Sequence, residues 1–150
     1  MRAPTLYDSG FTLLELIVAL AIAAILAAIA IPNWSLLLPT YRLNSSARQV
    51  QSELHRIRMQ AASENVRFQL VFSAGAADYT LERDSSPWQR KPLPEGIIIA
   101  KAGTISFSPR GTAGGDRVRL LNEKGECTQV VVSATGRVRI CKLNGCNENC

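Results

Sequence analysis

Apolar residues are concentrated in one uninterrupted block near the start of the chain. After ten mainly polar residues, positions 11–31 contain a single charged residue, Glu15, and are dominated by alanine, leucine and isoleucine. A helix of 21 residues is about 30 Å long, which matches the hydrocarbon core of a bilayer. The pattern therefore predicts a membrane-spanning helix over residues 11–31.

The helical period continues after this block, and we expect one N-terminal helix over residues 11–65. Steps of three and four place six apolar residues in one stripe that should pack on a following domain: Leu43, Ala47, Val50, Leu54, Ile57 and Ala61. Off this stripe, four arginines are predicted to form a solvated or inter-subunit face: Arg42, Arg48, Arg56 and Arg58. His55 is given no role.

From residue 66 the pattern changes to short segments separated by turn signals. Seven segments are predicted as strands: 66–72, 79–83, 97–101, 104–107, 118–121, 127–133 and 137–142. Proline-rich positions predict breaks at 85–87 and 92–96, and 108–116 reads as a glycine-rich loop. One long helix followed by short strands indicates an α+β fold, with residues 66–150 forming a small domain of one or two antiparallel sheets.

Composition and charge narrow the functional class. The chain has 150 residues, enough for one modest domain, and a net charge of +5, which suits acidic partners such as nucleic acid or anionic lipid. The sequence contains one histidine and no recognisable catalytic set, phosphate-binding glycine loop or metal-ligand cluster. We therefore expect neither enzymatic activity nor a cofactor or bound metal.

All four cysteines lie near the C-terminus: Cys127, Cys141, Cys146 and Cys150. An even number behind an export-type N-terminus favours disulfides over free thiols, and the spacing matches no common zinc site. Folding about a turn at residues 134–136, with positive φ available at Gly136, would bring Cys127 roughly opposite Cys141. The favoured hypothesis is this pair together with Cys146–Cys150, one of three possible connectivities.

The junction between the polar and apolar parts carries a specific motif. The hexapeptide GFTLLE at positions 10–15 closely resembles the prepilin signature of type IV pilins and type II secretion pseudopilins. The resemblance implies that a prepilin peptidase removes residues 1–10 by cleaving after Gly10 and that Phe11 becomes N-methylated. Glu15 would pair with the terminal amine of a neighbouring subunit, as a carboxylate in an apolar bundle requires a partner. Pro32 matches a proline that kinks such helices.

The same resemblance implies that the subunit is first inserted into a membrane and later assembled into a filament. The subunit would first be a single-pass protein of the bacterial inner membrane with its C-terminal domain in the periplasm. It would then join a pilus or pseudopilus, where residues 11–31 pack in the filament core. Its partners would be the peptidase, the membrane and other pilins or pseudopilins.

The last predicted strand carries arginines at alternate positions. Residues two apart in a strand share a face, so Arg137 and Arg139 should point together while Val138 and Ile140 point into the core. Two guanidinium groups spaced about 6.5 to 7 Å apart suit the phosphates of a nucleic-acid backbone. Arginines 117 and 119 alternate in the same way. A solvated sheet face without function is the alternative interpretation.

Both ends of the chain together resemble the GspH/FimT family of minor pilins. The C-terminal segments that carry the resemblance are ISFSPRG at 105–111 and VVVSATGRVRIC at 130–141. FimT-type members take part in natural transformation, and a G-R-x-R motif contributes to their DNA binding. Three residues match that motif: Gly136, Arg137 and Arg139. Two more, Arg110 and Lys142, are added as candidate DNA-binding residues from their charge and position.

The resemblance implies a minor type IV pilin that binds the DNA backbone without sequence specificity during uptake. Two alternatives share the same N-terminus. One is a structural minor pilin that primes pilus assembly without binding DNA. The other is a pseudopilin of a type II secretion system, whose partners are sister pseudopilins and exported proteins.

Overall fold

The computed structural model describes residues 11–143, 145 and 146, and of residues 29–36 it describes only the backbone. The predicted leader, residues 1–10 with the cleavage position Gly10, lies outside the described residues, as does Cys150. The chain divides into two compact units, Met1–Leu36 and Leu37–Cys150.

One long helix, α1, extends from Leu13 to Glu64. At its start the Glu15 N–H donates to Thr12 Oγ1 at 3.2 Å, which makes Thr12 the N-cap. At its end Asn65 adopts a positive φ of 55°, a common way to terminate a helix. These two caps explain why the helix is slightly shorter than the predicted range 11–65. The kink predicted at Pro32 falls among the residues described by backbone only and stays a prediction.

In the first unit, every described side chain from residue 11 to residue 28 is exposed. Apolar exposure of this extent is typical of a surface that lipid or other protein chains cover. Among the residues described in full, no helix is both long and apolar enough to cross a membrane. Residues 29–31 of the predicted span are outside that set.

Within the described part of the chain, the second unit contains eight strands in two antiparallel four-stranded sheets. The strands are β1 (Phe68–Phe72), β2 (Asp78–Arg83), β3 (Ser86–Pro92), β4 (Ile97–Lys101), β5 (Gly103–Phe107), β6 (Asp116–Asn122), β7 (Cys127–Val132) and β8 (Val138–Leu143). The first sheet has the order β3-β2-β1-β5 and the second the order β4-β6-β7-β8. The predicted α+β class with antiparallel strands is confirmed.

The core of this unit lies between α1 and the two sheets. All six residues of the predicted helical stripe are buried, with exposed fractions of 3% or less. They pack with apolar residues of both sheets, such as Leu70 and Leu81 of the first and Val118 and Val130 of the second. Each large apolar side chain buried in this way contributes roughly 1.5–3 kcal/mol. Among the residues whose burial the structure describes, this core runs from Leu43 to Val138, with Ile140 packed against it, and so lies within the second unit.

Strand β3 corrects the break predicted at residues 85–87. It lies at the edge of the first sheet and pairs only with β2. An edge position tolerates Pro87 and Pro92, because the missing N–H groups can face solvent. Its side chains are exposed except for the half-buried Lys91, so the strand has no apolar alternation that a sequence pattern could reveal.

The disulfide arrangement corrects the predicted pairs. Cys127 is bonded to Cys146, with their Cα atoms 5.3 Å apart, so the predicted Cys127–Cys141 and Cys146–Cys150 pairs are wrong. The connection between β7 and β8 comprises residues 133–137, and this register places Leu143 opposite Cys127. Cys141 stands two positions away, opposite Gln129, and is itself disulfide-bonded.

Candidate nucleic-acid interface

Two segments that are distant in sequence meet at one end of the second unit. They are the β5–β6 loop, residues 108–115, and the β7–β8 turn, residues 133–137. The Ala113 N–H donates to the Ala134 carbonyl at 3.0 Å, which links the two backbones directly. Arg110 of the loop and Arg137 of the turn are therefore brought to the same end of the domain.

Gly136 is the point of tightest approach between the loop and the turn. Its φ is +78°, as the sequence predicts, and its N–H closes the turn on the Ser133 carbonyl at 2.8 Å. A β-carbon at this position would lie 2.6 Å from the carbonyl oxygen of Gly111. A glycine is therefore required at this position of the G-R-x-R motif for two reasons, the positive φ and the close approach of Gly111, and the sequence indicates only the first.

Arg58 of α1 reaches both segments. Its Nε donates to the Gly111 carbonyl at 3.1 Å, its Nη1 to the Gly136 carbonyl at 3.2 Å, and its Nη2 to the Thr135 carbonyl at 3.3 Å. A guanidinium group is a rigid planar donor, so three bonds to two segments restrict how those segments lie relative to each other. This half-buried side chain is not fully solvated, although a solvated face is one of the two predicted alternatives.

The arginines next to this junction project into solvent. Arg110, Arg137 and Arg139 are all exposed, and within the described part of the chain none of their guanidinium groups forms an ion pair. Val138, between Arg137 and Arg139, is buried, and Ile140, which follows Arg139, packs against the core, which confirms the predicted alternation. The result is three exposed positive charges on or beside two touching segments.

The outer face of the second sheet extends this positive surface. Val131 pairs with both Arg117 and Arg139, so these two arginines share a face and lie about 10 Å apart, two strand spacings. The neighbouring carboxylate of Asp116 accepts a bond from the Arg117 N–H at 2.7 Å and adds one negative charge nearby.

Arg119 on the same face is engaged with protein groups. Its Nε donates to Gln129 Oε1 at 3.0 Å, and its Nη1 donates to the Cys146 carbonyl at 2.6 Å. Together with the Cys127–Cys146 disulfide, these bonds hold the segment after β8 against the sheet. Arg119 therefore supports the C-terminal segment and is not available to a ligand in the way that the sequence pattern predicts.

Lys142 lies away from this surface. By strand alternation it belongs to the same face as Val138 and Ile140, opposite to Arg139, although its side chain is exposed. It lines a shallow cavity of about 220 Å³ beside Thr40 and Asn44 of α1. The structure thus brings Arg110, Arg137 and Arg139 to one region and leaves Lys142 on the other side of the sheet.

Sequence comparison shows which family has this architecture. Residues 6–31 match the profile of the prokaryotic N-terminal methylation motif, and residues 46–136 match that of the type II transport protein GspH. The chain belongs to the GspH family. With its prepilin motif, it is a minor pilin or pseudopilin of a type IV pilus or type II secretion system. A search of curated proteins gave no match.

Structure comparison agrees with the GspH-family fold. The minor pseudopilin EpsH from the type 2 secretion system of Vibrio cholerae superposes with a TM-score of 0.58 at 15% sequence identity. The match covers 67% of this chain and 97% of EpsH. The likeness shows a shared fold, in which an N-terminal helix packs on two antiparallel sheets.

Two further helix arginines of this GspH-family subunit form contacts within the chain, whereas Arg48 is exposed, as a solvated face requires. Arg42 forms an ion pair with Glu95 at 3.6 Å. Arg56 pairs with Glu53 at 2.8 Å, and its guanidinium carbon lies 5.7 Å from the centre of the Trp88 ring. Arg42 and Arg56, like Arg58, thus make contacts within the subunit and are not purely solvated, while the inter-subunit alternative stays a prediction.

Arg58 is the residue of this region that sequence reasoning missed. One signal pointed to it: Arg58 directly follows Ile57 and precedes Ala61 by three positions, so it borders the buried stripe. A long side chain at the border of a packed helix face can reach the neighbouring element. The identity of that element depends on the chain fold and is not visible in the helical pattern.

Proposed function

We propose that this GspH-family subunit is a minor type IV pilin that binds DNA without sequence specificity during uptake. The binding groups are Arg110, Arg137 and Arg139. One observation carries the proposal: two touching segments and the start of β8 beside them display three exposed guanidinium groups that have no ion-pair partner among the described residues. In an isolated domain such charges have no internal role, whereas a polyanion would neutralise them.

The chemistry of the surface suits a phosphate backbone. Guanidinium groups bind phosphate oxygens in a bidentate manner, and contacts of this kind carry no base sequence information. Each neutralised phosphate releases counterions, so binding of this type weakens steeply with salt. The net charge of +5 favours the approach of any polyanion.

The N-terminal unit supports assembly into a filament. In the proposed pathway a prepilin peptidase cleaves after Gly10, Phe11 is N-methylated, and residues 11–31 hold the subunit in the inner membrane with its domain in the periplasm. The described side chains of residues 11–28 are exposed and almost entirely apolar, as such a role requires. In the filament, Glu15 pairs with the terminal amine of a neighbouring pilin.

The DNA-binding proposal is tested with the full chain in non-ionic detergent micelles. Fluorescence anisotropy with unrelated double-stranded fragments is measured over a range of salt concentrations. We expect binding to every fragment, and the Arg137→Ala/Arg139→Ala variant should lose most of it and lower the salt slope by about 2.

A matched control removes two exposed positive charges elsewhere, in Arg48→Ala/Lys101→Ala. This variant has the same net charge as the test variant and should retain most of the binding. A folded wild-type protein that binds no DNA at low salt would contradict the proposal and leave a purely structural minor pilin.

The match of residues 46–136 to the type II transport profile favours a second candidate, a secretion pseudopilin. Its partners would be sister pseudopilins and exported proteins, and DNA binding would have no place in its role. Neighbouring genes separate the two candidates, since secretion genes support the pseudopilin and pilus or competence genes support the pilin.

A further inference from the structure

The hydrogen bonds of Arg58 reach the backbone immediately beside the proposed DNA-binding arginines. Gly111 directly follows Arg110, and Gly136 directly precedes Arg137. The carbonyl groups of both glycines accept bonds from the same guanidinium group. The helix is thus connected to the β5–β6 loop and to the β7–β8 turn at the positions next to the exposed charges.

The direction of these bonds indicates what Arg58 does. Three of its nitrogens donate to carbonyl oxygens within the protein, so they are directed at the backbone and away from solvent. The guanidinium group also lies against Gly136, where a β-carbon would be 2.9 Å from Arg58 Nε. Arg58 therefore occupies the junction between the two segments, while Arg110 and Arg137 project outward.

We propose that Arg58 is a positioning residue for DNA binding: it holds the β5–β6 loop and the β7–β8 turn together so that Arg110 and Arg137 contact one phosphate backbone. This inference rests on the proposed function. The binding site is composite, because Arg110 and Arg137 are 27 positions apart in the sequence. The pairing of β6 with β7 places the two segments side by side, and the bonds of Arg58 add a direct link between them. Without Arg58, the two segments would have to become ordered when DNA binds. The entropy lost in that ordering would lower the affinity for DNA.

The test replaces Arg58 by lysine in the full chain in detergent micelles. Lysine keeps the positive charge, but its single ammonium group cannot reproduce the fork that spans three carbonyls. We expect Arg58→Lys to weaken binding to an unrelated double-stranded fragment about tenfold at low salt. Arg48→Lys, the same exchange at an exposed position of the same helix, should leave affinity unchanged.

Two readouts separate positioning from a general loss of stability. Amide hydrogen exchange should increase in residues 108–115 and 133–137 of Arg58→Lys and stay unchanged in β1 and β2. In addition, Arg137→Ala should weaken binding less in the Arg58→Lys background than in the wild type, because a turn that is no longer held presents Arg137 poorly. Arg58→Gln, which retains donors for one carbonyl, is the second variant if Arg58→Lys does not fold.

The outcomes distinguish a failure of the positioning role of Arg58 from a failure of the proposed DNA-binding function. Wild-type affinity in Arg58→Lys, together with a loss in Arg58→Ala, would identify a direct phosphate contact and overturn positioning. Unchanged hydrogen exchange in the two segments, or the same effect of Arg137→Ala in both backgrounds, would also overturn it. A wild-type protein that binds no DNA overturns the proposed function. It also overturns the role of Arg58 in DNA binding, whatever the hydrogen-exchange result.

Discussion

The carbonyl oxygen of Gly111 lies in the space that a β-carbon on Gly136 would need, at a separation of only 2.6 Å. The two glycines belong to different segments, the β5–β6 loop and the β7–β8 turn, and this approach allows Arg58 to bond to both. The glycine of the G-R-x-R motif therefore maintains the packing beneath the exposed arginines, whether or not DNA is present.

Replacing Gly136 by alanine should lower the free energy of unfolding by about 3 kcal/mol, through a positive φ and a clash with Gly111. Gly125→Ala is the matched control, because Gly125 has nearly the same φ, +79°, but no atom within 4 Å of its missing β-carbon. It should cost only about 1 kcal/mol. Urea denaturation measures the free energy of unfolding of both variants. Equal losses would show that Gly136 and Gly111 do not approach each other closely.

The Cys127–Cys146 bond should stabilise the domain by closing a loop with a sequence separation of 19 residues. Loop-closure entropy predicts about 3 kcal/mol, so Cys127→Ala/Cys146→Ala should lower the free energy of unfolding by that amount. Mass mapping of a non-reduced digest should find the peptides that contain Cys127 and Cys146 linked to each other. A link from Cys127 to Cys141 would contradict the structure.

Glu53 should make the stability of the domain sensitive to acid. Burial by itself raises the pKa of this carboxyl group, but hydrogen bonds from Lys91 and Arg56 outweigh it and hold the pKa below the ordinary 4.5. The ionised form therefore stabilises the folded state above about pH 4.5, and this contribution is lost as the pH falls through the lowered pKa.

Glu53→Gln should consequently flatten the dependence of the unfolding free energy on pH between about 5 and 3. Glu123→Gln, which removes an exposed carboxylate from the β6–β7 turn, is the control and should retain more of the wild-type slope. Chemical denaturation at a series of pH values measures the slopes, and identical curves for both variants would exclude the role of Glu53.

Lys142 and Arg139 should differ in their contribution to DNA binding, since they belong to opposite faces of the second sheet. Arg139→Ala should weaken binding about tenfold at low salt, whereas Lys142→Ala should change it by less than about twofold. Both variants lose one positive charge, so net charge cannot explain a difference. Equal losses would indicate non-specific attraction to the whole domain.

Glu15 should act in assembly and not in export. Glu15→Ala keeps the apolar pattern of residues 11–31, so the chain should still be inserted and cleaved after Gly10. It should enter filaments poorly, because the terminal amine of the neighbouring subunit loses its partner. Immunoblots of membrane and sheared filament fractions measure both steps, and normal incorporation would remove the role of this charge pair.

The features that the sequence predicts well are local. The six apolar positions from Leu43 to Ala61 follow the helical period, and all of them are buried. The alternation of Val138 and Arg139 gives the correct faces of β8, and Gly136 has the positive φ expected of a turn glycine. The edge strand β3 is not predicted, because its exposed side chains and two prolines give no alternation of apolar and polar positions.

Sequence by itself determined the prepilin-type N-terminus, the buried stripe of α1 and the exposure of Arg137 and Arg139, because each depends on neighbours within a few positions along the chain. The tertiary structure decided which cysteine meets Cys127, on which face Lys142 lies and what Arg58 binds. These depend on hairpin register and on contacts between segments up to 78 positions apart, which packing of the whole domain establishes and no local pattern encodes.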